Sequence, residues 1–294
     1  MTPDWSYITG QLSQATGESI NLHHPQAVGG GCINDAWKVS DQRNKLWFVK
    51  TNKPGKVDMF AAEMEGLQEI LATNSIKAPQ PICYGANQRH AFLVMEYLEL
   101  TGHANAATTG EQLAQMHQHT HSQFGWHRDN TIGSTPQINT LTAQWTEFWK
   151  VHRLEYQLTL ALNKGFRRTD FEQGLKLAEA IPLFFTDYQP VASLLHGDLW
   201  GGNCSADKQG NPVIYDPAVY YGDRETDLAM TELFGGFGAR FKDAYHATFP
   251  IDPGYSTRKT LYNLYHILNH YNLFGGGYAA QAVSMIHSLL SELR

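Results

Sequence analysis

The first third of this 294-residue chain mixes short β-prone runs with one stretch of helical spacing. Ala36-Trp-Lys-Val39 and Leu46-Trp-Phe-Val-Lys50 flank the polar turn Asp41-Gln-Arg-Asn44, which predicts a hairpin. From Asp58 to about Asn74, the apolar residues Phe60, Met64, Leu67 and Leu71 recur at the three-and-four spacing of a helix. Pro79 and Pro81 break that pattern, and the continuous apolar run Ala91–Met95 predicts a buried strand leading into Glu96-Tyr97. Beyond Leu100 helical periodicity dominates, around residues 109–121, 141–162, 170–180, 227–234, 258–272 and 280–293. Only Ser193–Leu195 and Pro212–Tyr215 are β-like there. The pattern predicts an α+β chain of two lobes. Residues 1–97 form an antiparallel sheet with one main helix, and residues 98–294 form a mostly helical lobe. The connector falls near Tyr97, and such lobe interfaces are common places for a cofactor.

Composition narrows the partners. Hydrophobic residues make up 42% and charged residues 17%, ordinary for a folded chain. The formal net charge of -6 argues against a nucleic-acid backbone as the main partner. Cys32, Cys83 and Cys204 form no CxxC pair, which suits a reducing compartment and provides no metal framework. The start, MTPDWSYITGQL, has no basic region followed by an apolar core, and no apolar run approaches the roughly 20 residues of a membrane span. A cytoplasmic protein without membrane contact is expected.

The strongest chemical signal is His196-Gly-Asp198-Leu-Trp-Gly-Gly-Asn203, followed after an apolar segment by Asp216. Phosphoryl transfer needs a carboxylate beside the attacking hydroxyl and hard oxygen ligands that hold Mg²⁺ against the phosphates. Protein kinases supply an Asp, an Asn five positions later and a second Asp further on. Asp198, Asn203 and Asp216 match that arrangement, which points to ATP and Mg²⁺: Asp198 as base, Asn203 and Asp216 as metal ligands. Lys50 follows the glycine-rich segment, as a lysine that reaches the ATP phosphates does. Its carboxylate partner is Glu63, Glu65 or Glu69. On a helical wheel these lie about 70°, 130° and 170° from the centre of the Phe60–Leu71 stripe, so Glu63 is the choice. Gly29, Gly30 and Gly31 sit between predicted strands, where glycines let backbone N–H groups approach phosphates. Met95, Glu96 and Tyr97 form the connector expected to meet the adenine edge.

Three other features bear on function. His117 and His121 share a face at i, i+4, but no neighbouring glutamate completes a zinc hydrolase pattern, and no metal is expected there. Asp227 is expected to cap the helix that follows it. Cys32 lies in the phosphate loop, where a partly exposed, redox-sensitive thiol is expected.

Leu194-Leu-His-Gly-Asp-Leu-Trp-Gly-Gly-Asn203, Ile214-Tyr-Asp-Pro-Ala218, Tyr221-Gly-Asp-Arg-Glu225, Asp227-Leu-Ala-Met230 and Phe234-Gly-Gly-Phe237 together resemble the fructosamine kinase (ketosamine-3-kinase) family. Phe48-Val-Lys50, Phe60-x-x-Glu63 and Phe92-Leu-Val-Met-Glu96 fit it as well, and the resemblance runs from about Val28 to Gly277. It implies a protein-kinase-like fold related to the aminoglycoside and choline kinases. It also implies ATP-dependent phosphorylation of a small ketosamine, a fructosamine or ribulosamine, at the sugar 3-hydroxyl, the first step in releasing a glycated amine. On that template Asp198 is the base, Asn203 and Asp216 the metal ligands, and Lys50 with Glu63 the phosphate anchor. Met95-Glu96-Tyr97 match the nucleotide connector, Trp200 and His196 lie on the substrate side, and Cys32 falls in the phosphate loop. The His-Gly-Asp and Asp-Pro-Ala segments, without Ala-Pro-Glu, argue against a protein kinase's substrate. The alternatives are another small-molecule kinase of this fold, acting on an aminoglycoside, choline or a different sugar, and a non-catalytic nucleotide-binding scaffold.

Overall fold

The computed structural model describes residues 2–29 and 33–293. The chain forms two compact units: the part up to Asn105 together with Cys204–Pro217, and Ala106–Asn203 together with the part from Ala218 onward. The sequence pattern put the division near Tyr97 and did not show that residues 204–217 belong with the first unit.

The first unit is built on five strands: β1 (Leu22–Val28), β2 (Asp35–Asp41), β3 (Leu46–Asn52), β4 (Pro81–Ala86) and β5 (Ala91–Glu96). They pair antiparallel in the order β1-β2-β3-β5-β4. The β2–β3 hairpin is closed as its sequence indicates, with the Asp41 carboxylate accepting the Arg43 and Lys45 amides at 2.8 and 3.0 Å and Asn44 at φ +61°. Two helices cover this sheet, not one: α1 (Trp5–Thr16) and α2 (Val57–Ala72). Alternation along the strands sorts the side chains. Val39, Trp47, Val49, Phe92 and Val94 pack with Ile8 and Leu12 of α1 in one core cluster. The intervening Lys50, Leu93 and Met95 fall on the other face, beside α2. Coverage on both faces explains why β5 is apolar at every position from Ala91 to Met95 and not at alternate ones. A further hairpin, Cys204–Ala206 paired with Pro212–Ile214, belongs to the same unit. Its turn is held by Asp207, whose carboxylate accepts the amides of Gln209 and Asn211 and the Lys77 ammonium.

The second unit is mainly helical: α3 (Ala106–His117), α4 (Trp145–Trp149), α5 (Tyr156–Asn163), α6 (Arg168–Ala180), α7 (Glu225–Leu233), α8 (Ala239–Thr248), α9 (Tyr255–Phe274) and α10 (Tyr278–Glu292). Lys150–Glu155, between α4 and α5, is π-helical. This turns the buried Arg153 guanidinium onto Phe148 and Tyr220, and it donates to the Ile138 carbonyl and Asn139 Oδ1. α3 crosses α8 at Gly110, where a Cβ would stand 2.2 Å from the Phe241 carbonyl oxygen. Helix α3 ends at His117, and His121 lies in the short strand Thr120–His121, so the two histidines do not share a helix face. That strand and Tyr220–Gly222 flank the central strand Ala192–Leu195, which runs straight into His196. No helix among the described residues is long and apolar enough to cross a membrane.

Candidate active site

Two clusters carry the chemistry, one in each unit. In the first, strand alternation puts Lys50 on the α2 side of the sheet. Its ammonium donates to Glu63 Oε1 at 2.5 Å and also to the Asp216 carboxylate. Glu63 is the carboxylate expected from the helical wheel, but the apolar stripe behind that expectation is incomplete. Met64 and Leu71 are only half-buried, and the buried set is Met59, Phe60, Ala62, Gly66, Leu67 and Ile70, with Ala61 on another side. The centre of that face lies about 20° from Glu63, so this carboxylate sits mid-face and not at the border. Burial alone would lower the Lys50 pKa, but the carboxylates of Asp216 and Glu63 outweigh it and raise it, so the lysine stays charged.

Asp216 lies two residues beyond the strand Pro212–Ile214, at φ +58° and directly before Pro217. A positive φ is uncommon outside glycine and is tolerated best by Asn and Asp. The residue ahead of a proline is also held to extended backbone. Asp216 departs from both preferences, a local strain of the kind that clusters at functional sites. Its side chain is 48% exposed, against 7% for Lys50 and 10% for Glu63.

In this unit Gly29 lies just past β1, where a Cβ would meet nothing within 4 Å among the described residues. Gly30, Gly31 and Cys32 lie outside the described residues. The far end of that loop is pinned by Asn52, whose amide donates to the Ile33 carbonyl and Asn34 Oδ1. Of the connector, Met95 is buried, and the Glu96 amide donates to the Gln80 carbonyl at 2.9 Å within the sheet. Lys38 lies over the Tyr97 ring at 4.7 Å. The two described cysteines are unreactive thiols: burial pushes Cys83 up to about 12 and Cys204 up to about 11.

The second cluster is the loop His196–Asn203. Its geometry depends on Gly197, at φ +81°, where a Cβ would fall 2.1 Å from the Ala218 carbonyl oxygen. The Ala218 amide in turn donates to the His196 carbonyl at 2.8 Å, tying the loop to the strand that follows. Asn203 donates through Nδ2 to the Asp198 carbonyl at 2.8 Å and to Asp198 Oδ2 at 3.3 Å. These bonds use the nitrogen end of the amide and leave Oδ1 with no donor among the described residues. His196, expected beside the substrate, is instead fully buried, and its ring Nδ1 accepts the Asp198 amide at 3.2 Å. It holds the carboxylate-bearing residue from beneath. Trp200 is 39% exposed, and its indole lies over Gly202, where a Cβ would stand 2.3 Å from Cζ2.

Sequence reasoning missed the anchor of this loop. Asp227 was expected to cap a helix, but it stands within the first turn of α7 and accepts the amides of His196 at 2.7 Å and Gly197 at 2.9 Å. His117 donates to the same carboxylate from Nε2 at 3.1 Å and accepts from the Tyr245 hydroxyl on Nδ1 at 2.7 Å. Burial lowers the His117 pKa and keeps this imidazole neutral. Burial opposes ionisation of Asp227, but the His117 hydrogen bond and the loop amides outweigh it and lower its pKa. Each amide bond to a buried carboxylate is worth about 1.5–3 kcal/mol. Asp227→Asn replaces one acceptor oxygen by an amide NH₂, a donor set against N–H donors. We expect turnover to fall about 100-fold, with nucleotide affinity retained, as a small misplacement of the reacting carboxylate predicts. Steady-state kinetics beside a nucleotide-binding titration check this; unchanged kcat would reduce Asp227 to a packing role.

Asn203 Oδ1, left without a donor among the described residues, and the half-exposed carboxylate of Asp216 are each oxygens of the kind a hard divalent cation takes. Among the described residues no cluster of His, Cys, Asp and Glu forms a metal centre of its own.

The family model for fructosamine kinase matches residues 4–292. A probable ketoamine kinase of Synechocystis sp. is 47% identical over 97% of each chain. A chloroplastic protein-ribulosamine 3-kinase of Oryza sativa subsp. japonica is 40% identical over 99% of this chain and 83% of its own. Among solved structures, a putative fructosamine-3-kinase from Haemophilus somnus 129PT superposes with a TM-score of 0.90 at 29% identity, over 97% of both chains. The fold is thus the α+β, protein-kinase-like arrangement expected from the sequence, and this chain belongs to the fructosamine kinase family.

Proposed function

We propose that this protein transfers the γ-phosphoryl group of ATP to the 3-hydroxyl of the sugar in a ketosamine, a fructosamine or ribulosamine, as an early step in freeing a glycated amine. The observation that carries the proposal is Asp198 itself. Its amide is held by the His196 ring, its oxygens are met by Asn203, and its loop is clamped by Asp227. Such a carboxylate is preorganised to orient a hydroxyl and take its proton. Lys50, kept charged and located by Glu63, neutralises the phosphates. Asn203 Oδ1 and the Asp216 carboxylate are the oxygen donors that would hold Mg²⁺, and the ion would supply charge stabilisation at the phosphoryl oxygens. The connector Met95-Glu96-Tyr97 offers backbone groups to the adenine edge, with the Glu96 amide already bonded to the Gln80 carbonyl. Trp200 offers its exposed face to the C–H groups of the sugar.

The test is a coupled ADP-release assay across fructosamines, ribulosamines, aminoglycosides and choline. Turnover with the ketosamines is expected. Activity confined to aminoglycosides or choline would overturn the assignment of the acceptor, and nucleotide binding with no acceptor phosphorylated would reduce the chain to a scaffold.

A further inference from the structure

Trp200 is the first of five rings that meet in series on the second unit. It stands edge-on to Phe234, with centroids 6.2 Å apart at 75°. Phe234 tilts against His270 at 4.9 Å, and His270 meets Phe274 at 5.7 Å and Tyr278 at 5.2 Å. None of the five is fully buried, and Phe274 is 58% exposed. Rings that serve only as core are not left this open, and a contiguous aromatic surface marks a binding site.

The backbone is shaped to hold the series. Gly202 gives the indole its seat. Gly275 and Gly276, at φ +70° and +65°, turn the chain between α9 and α10 so that Tyr278 returns onto His270. His266, His270 and Phe274 follow one another at i, i+4 and i+8 along one face of α9. His266 is buried and within reach of the charge of Asp227, the anchor of the Asp198 loop. The face therefore leads from beneath the catalytic loop out to the open rings.

His270 gives the cluster a polar centre. Its Nδ1 is 2.8 Å from the His266 carbonyl oxygen. A carbonyl only accepts, so Nδ1 carries the proton and Nε2 presents a lone pair. Burial lowers the pKa of this ring, which favours the neutral form that keeps the lone pair. Ring faces around one hydrogen-bond acceptor attract a cation that can donate a proton.

We propose, resting on the ketosamine assignment above, that this ring series is a subsite for the protonated secondary amine of the acceptor. The rings of Phe234, Phe274 and Tyr278, which border His270, meet the N⁺ and its adjoining CH₂ groups, His270 Nε2 accepts the N–H, and Trp200 joins this subsite to the sugar. In a ketosamine the nitrogen is one short carbon chain away from the 3-hydroxyl, so a site beside Asp198 must receive both. The subsite makes the enzyme prefer glycated amines over free ketoses and neutral conjugates of the same sugar.

The experiment compares a ketosamine bearing an alkylamine, its isosteric ether with oxygen in place of NH, and the free ketose. Each is tested on the wild type, Phe274→Leu and Tyr278→Leu. Leucine keeps the apolar bulk and removes the π face, and Phe274 is exposed enough for its loss to spare folding. The wild type is expected to favour the ketosamine over the ether by at least about tenfold in kcat/KM. In either variant that ratio falls to about threefold or less, through KM and not kcat. Equal use of ether and ketosamine by the wild type, or a parallel loss on both acceptors in the variants, overturns the subsite. Failure of the ketosamine assignment looks different: the wild type then phosphorylates none of the three, and both proposals fall together.

Discussion

Asp198→Asn is expected to lower kcat by about 10³-fold while nucleotide affinity stays within about twofold of the wild type. General-base catalysis by a positioned side chain contributes roughly 10²–10⁴-fold, and Asp198 is positioned from several sides. The His196 ring fixes its amide, and Asn203 fixes its carbonyl and Oδ2. Asparagine fits the same space and keeps an oxygen for Asn203, so the loop survives and only the proton acceptor is lost. The groups assigned to the phosphates, Lys50 and Glu63, belong to the other compact unit, and their ion pair does not involve Asp198. The measurement is ADP release under saturating acceptor, beside calorimetric titration of the nucleotide. A variant within tenfold of wild-type kcat removes Asp198 from the role of base. A variant that also fails to bind nucleotide shows that the substitution broke more than the proton transfer.

The parts of this site that were legible in the sequence are those in which one residue's chemistry is tied to a local spacing. His196-Gly-Asp198 through Asn203 reads directly because a five-residue interval on one loop sets which side chains meet. Gly197 is a similar case, since the backbone can only turn there without a Cβ. Lys50 and Glu63 were reachable because strand alternation and helix periodicity each select a face. Even so, the small residues Ala62 and Gly66 define the buried face as much as the large ones do, and a stripe of large apolar residues did not include them. Helix α1 was missed for a related reason. Only Ile8 and Leu12 of its twelve residues are buried, too few to impose a period on a segment rich in Ser, Thr and Gly. Strand β1 is interrupted between His23 and Gln26, where the register shifts, and β4 begins on Pro81, so neither shows clean alternation.

What could not be read locally is what long-range contact decides. Asp227 resembles a helix cap by position, and nothing near it in the sequence indicates that amides thirty residues upstream need its oxygens. His117 resembles half of a metal site until its partners prove to be Asp227 and Tyr245. His196 was expected on the substrate side, but its ring is buried and accepts the Asp198 amide, a contact that the fold of the loop decides. The five-ring series draws on residues from 200 to 278, and although Trp200 and Phe234 each lie in a recognisable segment, nothing in the sequence indicates that they meet His270, Phe274 and Tyr278. Local spacing thus announces the reacting groups, and the groups that aim them become visible only in the folded chain.

Asp216→Asn is the second large effect, and it separates metal binding from lysine anchoring. In this structure the Asp216 carboxylate shares the Lys50 ammonium with Glu63, so its loss leaves the lysine still paired. Asp216 is also about half exposed, so little stability rests on the pair and the melting temperature is expected to stay near that of the wild type. Turnover is different. A divalent cation at the phosphates is worth several kcal/mol of transition-state charge stabilisation, and losing about 4 kcal/mol of it is a factor of about 10³ in rate. Asparagine keeps an oxygen ligand without the charge, so part of the loss should return as Mg²⁺ is raised, in a way that no concentration of ATP reproduces. Calorimetry distinguishes the two roles without measuring turnover. Affinity for ATP in the absence of metal should be unchanged, and the enhancement that Mg²⁺ gives the wild type should shrink. If metal-free ATP binding falls instead, the carboxylate acts through Lys50, and the second oxygen ligand for the cation must be sought elsewhere. The backbone favours the first outcome. Asp216 is held at a positive φ immediately before a proline, a conformation that costs on the order of 1–3 kcal/mol. A surface carboxylate that merely paired with a lysine already held by Glu63 gives no reason for that strain to persist.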